Sequence, residues 1–180
     1  MRVISGKIRG KKLYSLEGDN TRPTTDRVKE NIFNIIAGYV QGAFVLDLFA
    51  GSGALGIEAL SRGADYCDFV EISSSAMAIV KKNLGEMPFG ESAVCTLCDF
   101  SAFLEKTEKR YDIIFLDPPY SSGYYEKALD IIKKRGLLND GGIIVLEKDA
   151  AQREEYPFFE TLRERKYGQT SVLILKTIGE

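Results

Sequence analysis

Hydrophobic and polar positions follow two alternating patterns along most of the chain. Short apolar runs predict strands at 44–49, 66–72, 93–98, 113–116 and 143–146. Apolar residues at helical spacing predict helices at 55–61, 74–84, around Phe103 and at 124–134. Uniformly apolar strands are typical of parallel strands that are covered on both faces. The pattern therefore predicts an α/β fold with a doubly wound, mostly parallel sheet, of the Rossmann-like kind.

The two ends of the chain follow other patterns. Residues 2–15 alternate loosely around two glycines and predict a short β-hairpin, and a helix is predicted at 26–39. Near the C terminus, apolar segments at 158–164 and 171–176 are separated only by residues 165–170, which is too short for a helical crossover. We therefore expect an antiparallel pair at the sheet edge and seven strands in the sheet. We divide the chain into an N-terminal extension, 1–22, and a main domain, 23–180.

Composition places the chain among folded domains. It has 180 residues, of which 44% are apolar and 28% charged, enough for one full hydrophobic core. No apolar stretch approaches the roughly 18 residues that span a bilayer, and the first residues lack a signal-peptide core. We expect a cytoplasmic protein without a membrane partner.

The chain contains no histidine, and its three cysteines do not form a zinc-binding pattern. Ser-His-Asp and Cys-His hydrolases and HExxH metalloproteases are therefore excluded. Cys95 and Cys98 are expected to be reduced thiols in a strand, and no metal is expected. Any chemistry must come from carboxylates, hydroxyls, backbone groups or a cofactor.

Charge is distributed unevenly although the formal net charge is only −2. The first twelve residues contain no acid and five cations, namely Arg2, Lys7, Arg9, Lys11 and Lys12. Such a cluster predicts a phosphate-binding surface for a nucleic acid. The alternative is that these side chains are simply solvated.

A glycine-rich turn follows the first predicted strand of the sheet. Gly51-Ser52-Gly53 leads to Gly56 and then into a helix, which is the arrangement that lets a ligand approach backbone closely at the carboxyl edge of a sheet. Glu71 and Asp99 end the next two predicted strands on the same edge. This set predicts a cofactor site, whereas a tight turn alone would leave the two acids unexplained.

Asp47 favours one of two cofactor classes. It lies four residues before Gly51, where a carboxylate would repel the pyrophosphate of a dinucleotide. The same carboxylate would attract the cationic amino and sulfonium groups of S-adenosylmethionine. We therefore favour S-adenosylmethionine.

The fourth predicted strand ends in Asp117-Pro118-Pro119-Tyr120. The prolines lack N–H groups, so this stiff segment presents hydrogen-bond acceptors. The Asp117 carboxylate and the Pro118 carbonyl could hold an exocyclic base amine while Tyr120 stacks on a flipped base. Tyr124 begins the following helix, and Glu147, at the end of the next strand, is expected to be a solvated edge carboxylate.

Together these motifs resemble the bacterial RsmD family of S-adenosylmethionine-dependent 16S rRNA (guanine-N2) methyltransferases. The resemblance rests on the motifs above and on the segments 2–10, 21–34, 53–63 and 166–170. It implies a cofactor site made of Asp47, Gly51, Ser52, Gly53, Glu71, Ile72, Asp99 and Phe100. It also implies that Asp117 to Tyr120 hold the guanine and that the basic extension, with Arg22 and Thr24, meets RNA. The acidic isoelectric point, about 5.4, favours an assembling small ribosomal subunit as the partner of a monomeric enzyme.

Three alternatives remain open at this point. The Asp-Pro-Pro-Tyr segment would also suit an adenine-N6 or protein-glutamine methyltransferase. An oxidoreductase that binds NAD could use the glycine turn and Glu71, but it has no use for Asp47 and Asp117. An assembly factor could bind rRNA without catalysis.

Overall fold

A computed structural model of the chain describes residues 1–15, 26–118, 123–151 and 156–178. The helices are α1 (Asp26–Ile35), α2 (Ala37–Val40), α3 (Ala54–Ser61), α4 (Ser74–Gly85), α5 (Phe100–Lys106) and α6 (Tyr124–Arg135), with a 3-10 turn at Gly90–Ser92. The strands are β1 (Phe44–Asp47), β2 (Tyr66–Glu71), β3 (Ala93–Leu97), β4 (Tyr111–Leu116), β5 (Leu138–Asp149), β6 (Phe159–Tyr167) and β7 (Thr170–Thr177).

All seven strands form one sheet in the order β3-β2-β1-β4-β5-β7-β6. Strands β1 to β5 are parallel, whereas β7 runs antiparallel between β5 and β6. Strand β2 pairs with one side of β1, and the chain later places β4 on the other side of β1. This reversal opens a crevice at the carboxyl ends of β1 and β4, which is where open α/β sheets bind ligands. The predicted architecture, including the antiparallel C-terminal pair, is confirmed.

Apolar side chains cover both faces of the sheet, which explains why the strands lack polar alternation. Val45, Phe115 and Val145 face α1 and α3, while Leu46, Ile114 and Leu146 face α5 and α6. Side chains alternate between the two faces of the sheet along a strand. These two sets of residues therefore show on which face each side chain at a strand end lies.

Several predicted boundaries differ from the structure. The helix predicted at 26–39 is interrupted at Ile36, where the N–H of Tyr39 bonds the carbonyl of Ile36 three residues back. Strand β5 is longer than 143–146 because Leu138 pairs with Tyr111 of β4 and the last residues of β5 pair with β7. The N-terminal hairpin contains a single bridge, between Arg2 and Lys12, followed by hydrogen-bonded turns.

The N-terminal segment is fastened to α3. Val3 and Leu13 are buried in the core, and the carboxylate of Glu58 accepts the N–H groups of Ile4 and Ser5 at 2.8 and 3.0 Å. A Cβ on Gly6 would lie 1.9 Å from the Ser61 carbonyl oxygen, so only glycine permits this approach. The boundary at residue 22 lies outside the described residues, and the two-part division stays a prediction. Within the described ranges, no helix has the length and apolarity to cross a membrane.

Candidate functional site

The glycine turn at the carboxyl end of β1 adopts the conformation that its sequence requires. Gly51 and Gly53 have φ values of 54° and 78°, which residues other than glycine rarely adopt. Gly56 lies inside α3, where a Cβ would come within 2.4 Å of the Phe69 ring and 2.7 Å of the Cys67 sulfur. The third glycine thus lets α3 pack directly on β2, while the first two shape the turn.

Asp47 connects β1 to α3 below this turn. Its side chain is 2% exposed, and Oδ2 accepts the backbone N–H of Gly56 at 2.9 Å. The pKa of Asp47 is raised to about 7, mainly by burial, with the charge of Glu71 adding to the rise and the hydrogen bond from Gly56 opposing it. The site therefore holds a carboxyl group whose ionised form would be favoured by a nearby cation.

Glu71 closes the turn from the neighbouring strand. One carboxylate oxygen accepts the N–H of Gly51 at 2.9 Å and the other accepts the N–H of Ser73 at 2.8 Å. Each oxygen retains a further lone pair. Glu71 can therefore hold the turn and still accept hydrogen bonds from a ligand's hydroxyl groups.

Asp99 lies two residues beyond β3 and caps α5. Its Oδ1 accepts the N–H groups of Ser101 and Ala102 at 2.9 and 3.3 Å and the Ser101 hydroxyl at 2.5 Å. The Ser101 hydroxyl is the main cause of a lowered Asp99 pKa. Phe100 follows, 6% exposed, with its ring centroid 5.2 Å from that of Phe49. The third predicted acid thus reaches the same edge of the sheet as a helix cap.

Asp117 directly follows β4, and Pro118 is buried behind it. Burial is the main cause of an Asp117 pKa well above its usual value, and the charges of Glu147 and Asp47 raise it further. Since Asp47 pairs with Phe115 in register, Asp117 stands two residues farther out on the neighbouring strand. Pro119 and Tyr120 lie outside the described residues, and their positions in the site stay a prediction.

The residues around the glycine turn are of the types that could hold S-adenosylmethionine. A Cβ on Gly51 would meet no heavy atom within 4 Å, so the turn is open to a ligand. Ile72, next to Glu71, leaves 69% of its surface exposed, so an apolar side chain faces solvent beside the turn. Ser52 is held in place because its carbonyl accepts the Asn83 amide at 2.9 Å.

The basic N-terminal segment divides into paired and unpaired cations. Arg2 bonds Asp26 at 3.4 Å and Lys11 bonds Glu86 at 2.8 Å. Lys7, Arg9 and Lys12 are exposed, and no carboxylate among the described residues lies within 4.0 Å of them. Three cations are thus available to an anionic partner. Arg22 and Thr24 lie outside the described residues.

Sequence reasoning missed three features of this site. Asn83 is 1% exposed and ties Ser52 to Tyr14, and its place on the buried stripe of α4, three residues after Val80, was a usable signal. Tyr124 stacks on Phe49 with centroids 6.2 Å apart. Glu147, expected at a solvated strand end, lies inside β5 and is 5% exposed, because β5 extends along β7.

The cysteines are isolated thiols in the described part of the chain. Cys67, Cys95 and Cys98 are free, and burial raises the pKa of each. No group of three or more potential metal ligands occurs among the described residues.

Comparison with known proteins adds the family. The model of a family described as conserved hypothetical protein 95 matches residues 1–176. YlbH of Bacillus subtilis (strain 168), whose name provisionally assigns it as an rRNA methyltransferase, is 43% identical over 188 residues, which cover 99% of this chain and all of YlbH. Ribosomal RNA small subunit methyltransferase D of Escherichia coli (strain K12) is 37% identical over 149 residues, covering 83% of this chain and 75% of that protein.

A solved structure from Escherichia coli agrees with this relationship. It belongs to yhhF, which is provisionally named a methyltransferase, and it matches with a TM-score of 0.88 and 33% identity over 100% of this chain and 99% of the other. Since both the family model and the relatives span most of the chain, the chain belongs to the RsmD family of methyltransferases, as its motifs predict.

Proposed function

We propose that this protein transfers a methyl group from S-adenosylmethionine to the exocyclic N2 of a guanine in 16S rRNA. The relatives named ribosomal RNA small subunit methyltransferase D support the choice of RNA. The observation that carries the proposal is the position of Asp117 and Pro118 directly after β4, beside the glycine turn that follows β1. A methyl donor on the turn and an amine at Asp117 would meet at neighbouring strand ends.

The cofactor-binding residues have distinct tasks in this proposal. When bound, S-adenosylmethionine supplies a methyl group that is activated by a positively charged sulfur. Glu71 would accept ribose hydroxyls, Ile72 and Phe100 would flank the adenine, and Asp99 would face the same ring. Gly51, Ser52 and Gly53 would leave room for close approach, while the buried carboxylate of Asp47 would attract the cationic amino group.

The amine would be oriented by acceptors on the outgoing end of β4. The Asp117 carboxylate and the Pro118 carbonyl would accept the two N–H groups of guanine N2, and this turns the nitrogen lone pair toward the methyl group. Positive charge that develops on nitrogen would be stabilised by Asp117. Pro119 would keep the segment stiff, and Tyr120 would stack on the extruded base.

The RNA would be held at the N-terminal segment. Lys7, Arg9 and Lys12 are exposed and available to phosphates, and Arg2, Lys11, Arg22 and Thr24 would add further contacts with the RNA. Because the whole chain is acidic, with an isoelectric point of about 5.4, we propose that a monomeric cytoplasmic enzyme meets its RNA within an assembling small subunit. Ribosomal proteins would then add contacts that naked RNA lacks.

The proposal is tested by product identification. Labelled S-adenosylmethionine is supplied with small subunits from cells that lack this protein, with naked 16S rRNA and with DNA, and digested products are identified by mass spectrometry. We expect N2-methylguanosine from RNA, with subunits the better substrate. Methyladenine or methylglutamine as the main product would overturn the guanine assignment.

Two variants accompany this assay. Asp117→Ala should abolish methyl transfer while leaving S-adenosylmethionine binding, measured by calorimetry, within about twofold of wild type. The exposed Asp65→Ala is the matched control, and it should transfer methyl groups at the wild-type rate. Full turnover by Asp117→Ala would remove Asp117 from the reaction.

A further inference from the structure

Three carboxyl groups stand in a row on one face of the sheet. Asp47 on β1, Asp117 after β4 and Glu147 on β5 each follow residues whose alternation places them on the face of Val45, Phe115 and Val145. Asp47 already has a task in the glycine turn, and Asp117 has one in the proposed reaction. Glu147 has none in the proposed function, although it is the neighbour of Asp117.

Strand register places Glu147 directly beside Asp117. Leu116 of β4 pairs with Leu146 of β5 in a parallel arrangement, and Asp117 and Glu147 are the next residues on the two strands. Neighbouring strands lie about 4.8 Å apart. Two carboxyl groups on the same face of adjacent strands are therefore close enough to influence each other strongly.

The position of Glu147 is fixed from several sides. It pairs with Val172 of β7, its carbonyl accepts the Tyr125 hydroxyl at 2.5 Å, and it is 5% exposed. The charge of Glu147 is, after burial, the largest cause of the raised Asp117 pKa, and Asp47 acts from the other side. Lys148 points to the opposite face, where its ammonium lies 5.5 Å from the Tyr156 ring.

We propose that Glu147 is a positioning residue that makes Asp117 the acceptor of the amine proton during methyl transfer. The inference rests on the proposed function. As the nitrogen–methyl bond forms, the methyl–sulfur bond breaks and its electron pair neutralises the sulfur. The nitrogen–hydrogen bond then breaks and the proton passes to the Asp117 carboxylate, so a cation and an anion are both neutralised. A partly buried carboxylate beside a second carboxylate binds that proton more readily than an isolated aspartate does.

The first test observes the carboxyl groups in the cofactor-free protein. ¹³C-labelled carboxyl resonances are followed against pH, and Asp117→Asn identifies the Asp117 signal. In Glu147→Gln we expect the Asp117 midpoint to fall by about one pH unit or more, since the neighbouring charge is removed. Glu126→Gln, at an exposed position on α6, serves as the control and should leave the Asp117 midpoint unchanged. An unmoved midpoint in Glu147→Gln overturns the role of Glu147.

Reciprocity keeps this test independent of one variant's folding. Interacting groups titrate as a pair. If Glu147 is the partner of Asp117, the titration midpoint of Glu147 should therefore fall in Asp117→Asn. If both midpoints stay unchanged, the pair does not exist. Glu147→Asp retains the charge and should restore most of the wild-type Asp117 midpoint.

The second test connects the pair to catalysis. With donor and RNA both saturating, kcat should fall as pH drops through the Asp117 midpoint, and Glu147→Gln should move this fall to lower pH by the shift seen in the carboxyl titration. A role limited to folding would lower kcat without moving its pH profile, and that outcome overturns the inference. A wild-type protein that makes no methylguanosine overturns the proposed function instead, and the cofactor-free titration still reports on the pair.

Discussion

Asp47 accepts the backbone N–H of Gly56 at 2.9 Å although the two residues belong to a strand and a helix with the glycine turn between them. The carboxylate is buried, so this hydrogen bond competes with the cost of desolvating a charge. The turn is therefore held by a group that is itself close to losing its charge at neutral pH.

Asp47 should make stability depend on pH. Its folded pKa of about 7 lies above the unfolded value of about 4, so the folded state binds the proton more tightly. The contribution of Asp47 to stability therefore falls as pH rises between these values and is constant above them. Between pH 5 and pH 8 we expect the free energy of unfolding of Asp47→Asn to rise by about 2 to 3 kcal/mol relative to that of the wild type. Urea denaturation at both pH values measures this, and a constant difference would contradict it.

Glu71 should contribute to cofactor affinity and to the shape of the turn. Glu71→Ala removes the proposed ribose acceptor and the partner of the Gly51 N–H, and we expect S-adenosylmethionine to bind about 1–3 kcal/mol more weakly by calorimetry. Glu91→Ala, an exposed acid in the 3-10 turn, is the control and should bind normally. An unchanged Kd in Glu71→Ala would remove Glu71 from the site.

Gly56 should tolerate no side chain. In Gly56→Ala the new methyl group would overlap the ring of Phe69, so α3 must move away from β2. We expect a loss of about 1–3 kcal/mol in the free energy of unfolding, together with weaker cofactor binding. Gly85→Ala, in the last turn of α4 with nothing within 4 Å, should be neutral or more stable by up to about 1 kcal/mol. Equal thermal stability of the two variants would contradict this packing argument.

The buried ion pair of Lys29 and Glu58 should stabilise the attachment of the N-terminal segment. The two groups are 3.2 Å apart and fully buried, and Lys29 also donates to the Arg2 carbonyl at 2.6 Å. Among the described residues, Lys29→Met leaves Glu58 with Arg62 alone as a counter-charge, and we expect a loss of about 3–5 kcal/mol in urea denaturation. Lys134→Met removes an exposed pair with Asp130 and should cost less than about 1 kcal/mol.

The unpaired cations should set the salt dependence of RNA association. Replacing Lys7, Arg9 and Lys12 by glutamine should reduce the slope of log K against log salt by about two to three. The same number of changes at Lys133, Lys134 and Arg135, in the last turn of α6, is the control and should leave the slope unaltered. If the first variant keeps the wild-type slope, these charges are merely solvated.

The sequence was sufficient for the fold and for the residues at the sheet edge. Apolar runs located every strand of the parallel core, and Glu71 follows the glycine turn at the spacing that brings both to one edge. These features depend on local patterns, so they can be read without the structure.

What the sequence did not reveal depends on contacts between distant segments. Glu147 was expected at a strand end because nothing local indicates that β5 continues alongside β7. Glu58 and Lys29 resemble ordinary surface charges of two helices in the sequence, yet both are buried and contact the N-terminal segment. Asp47 was expected to face a ligand, yet its hydrogen bond to Gly56 depends on how closely α3 approaches β2.

Helix α3 also sets the distance between the glycine turn and the N-terminal segment. Its eight residues are all buried, its first turn starts at the glycine turn, and its last turn holds the N-terminal segment through Glu58 and Ser61. At 1.5 Å per residue the helix is roughly 12 Å long. It would therefore act as a rigid spacer between the cations that we propose bind phosphate and the glycine turn that we propose holds the methyl donor. On this view, the target guanine is selected partly by how far it lies, along the folded RNA, from the phosphates that the cations hold.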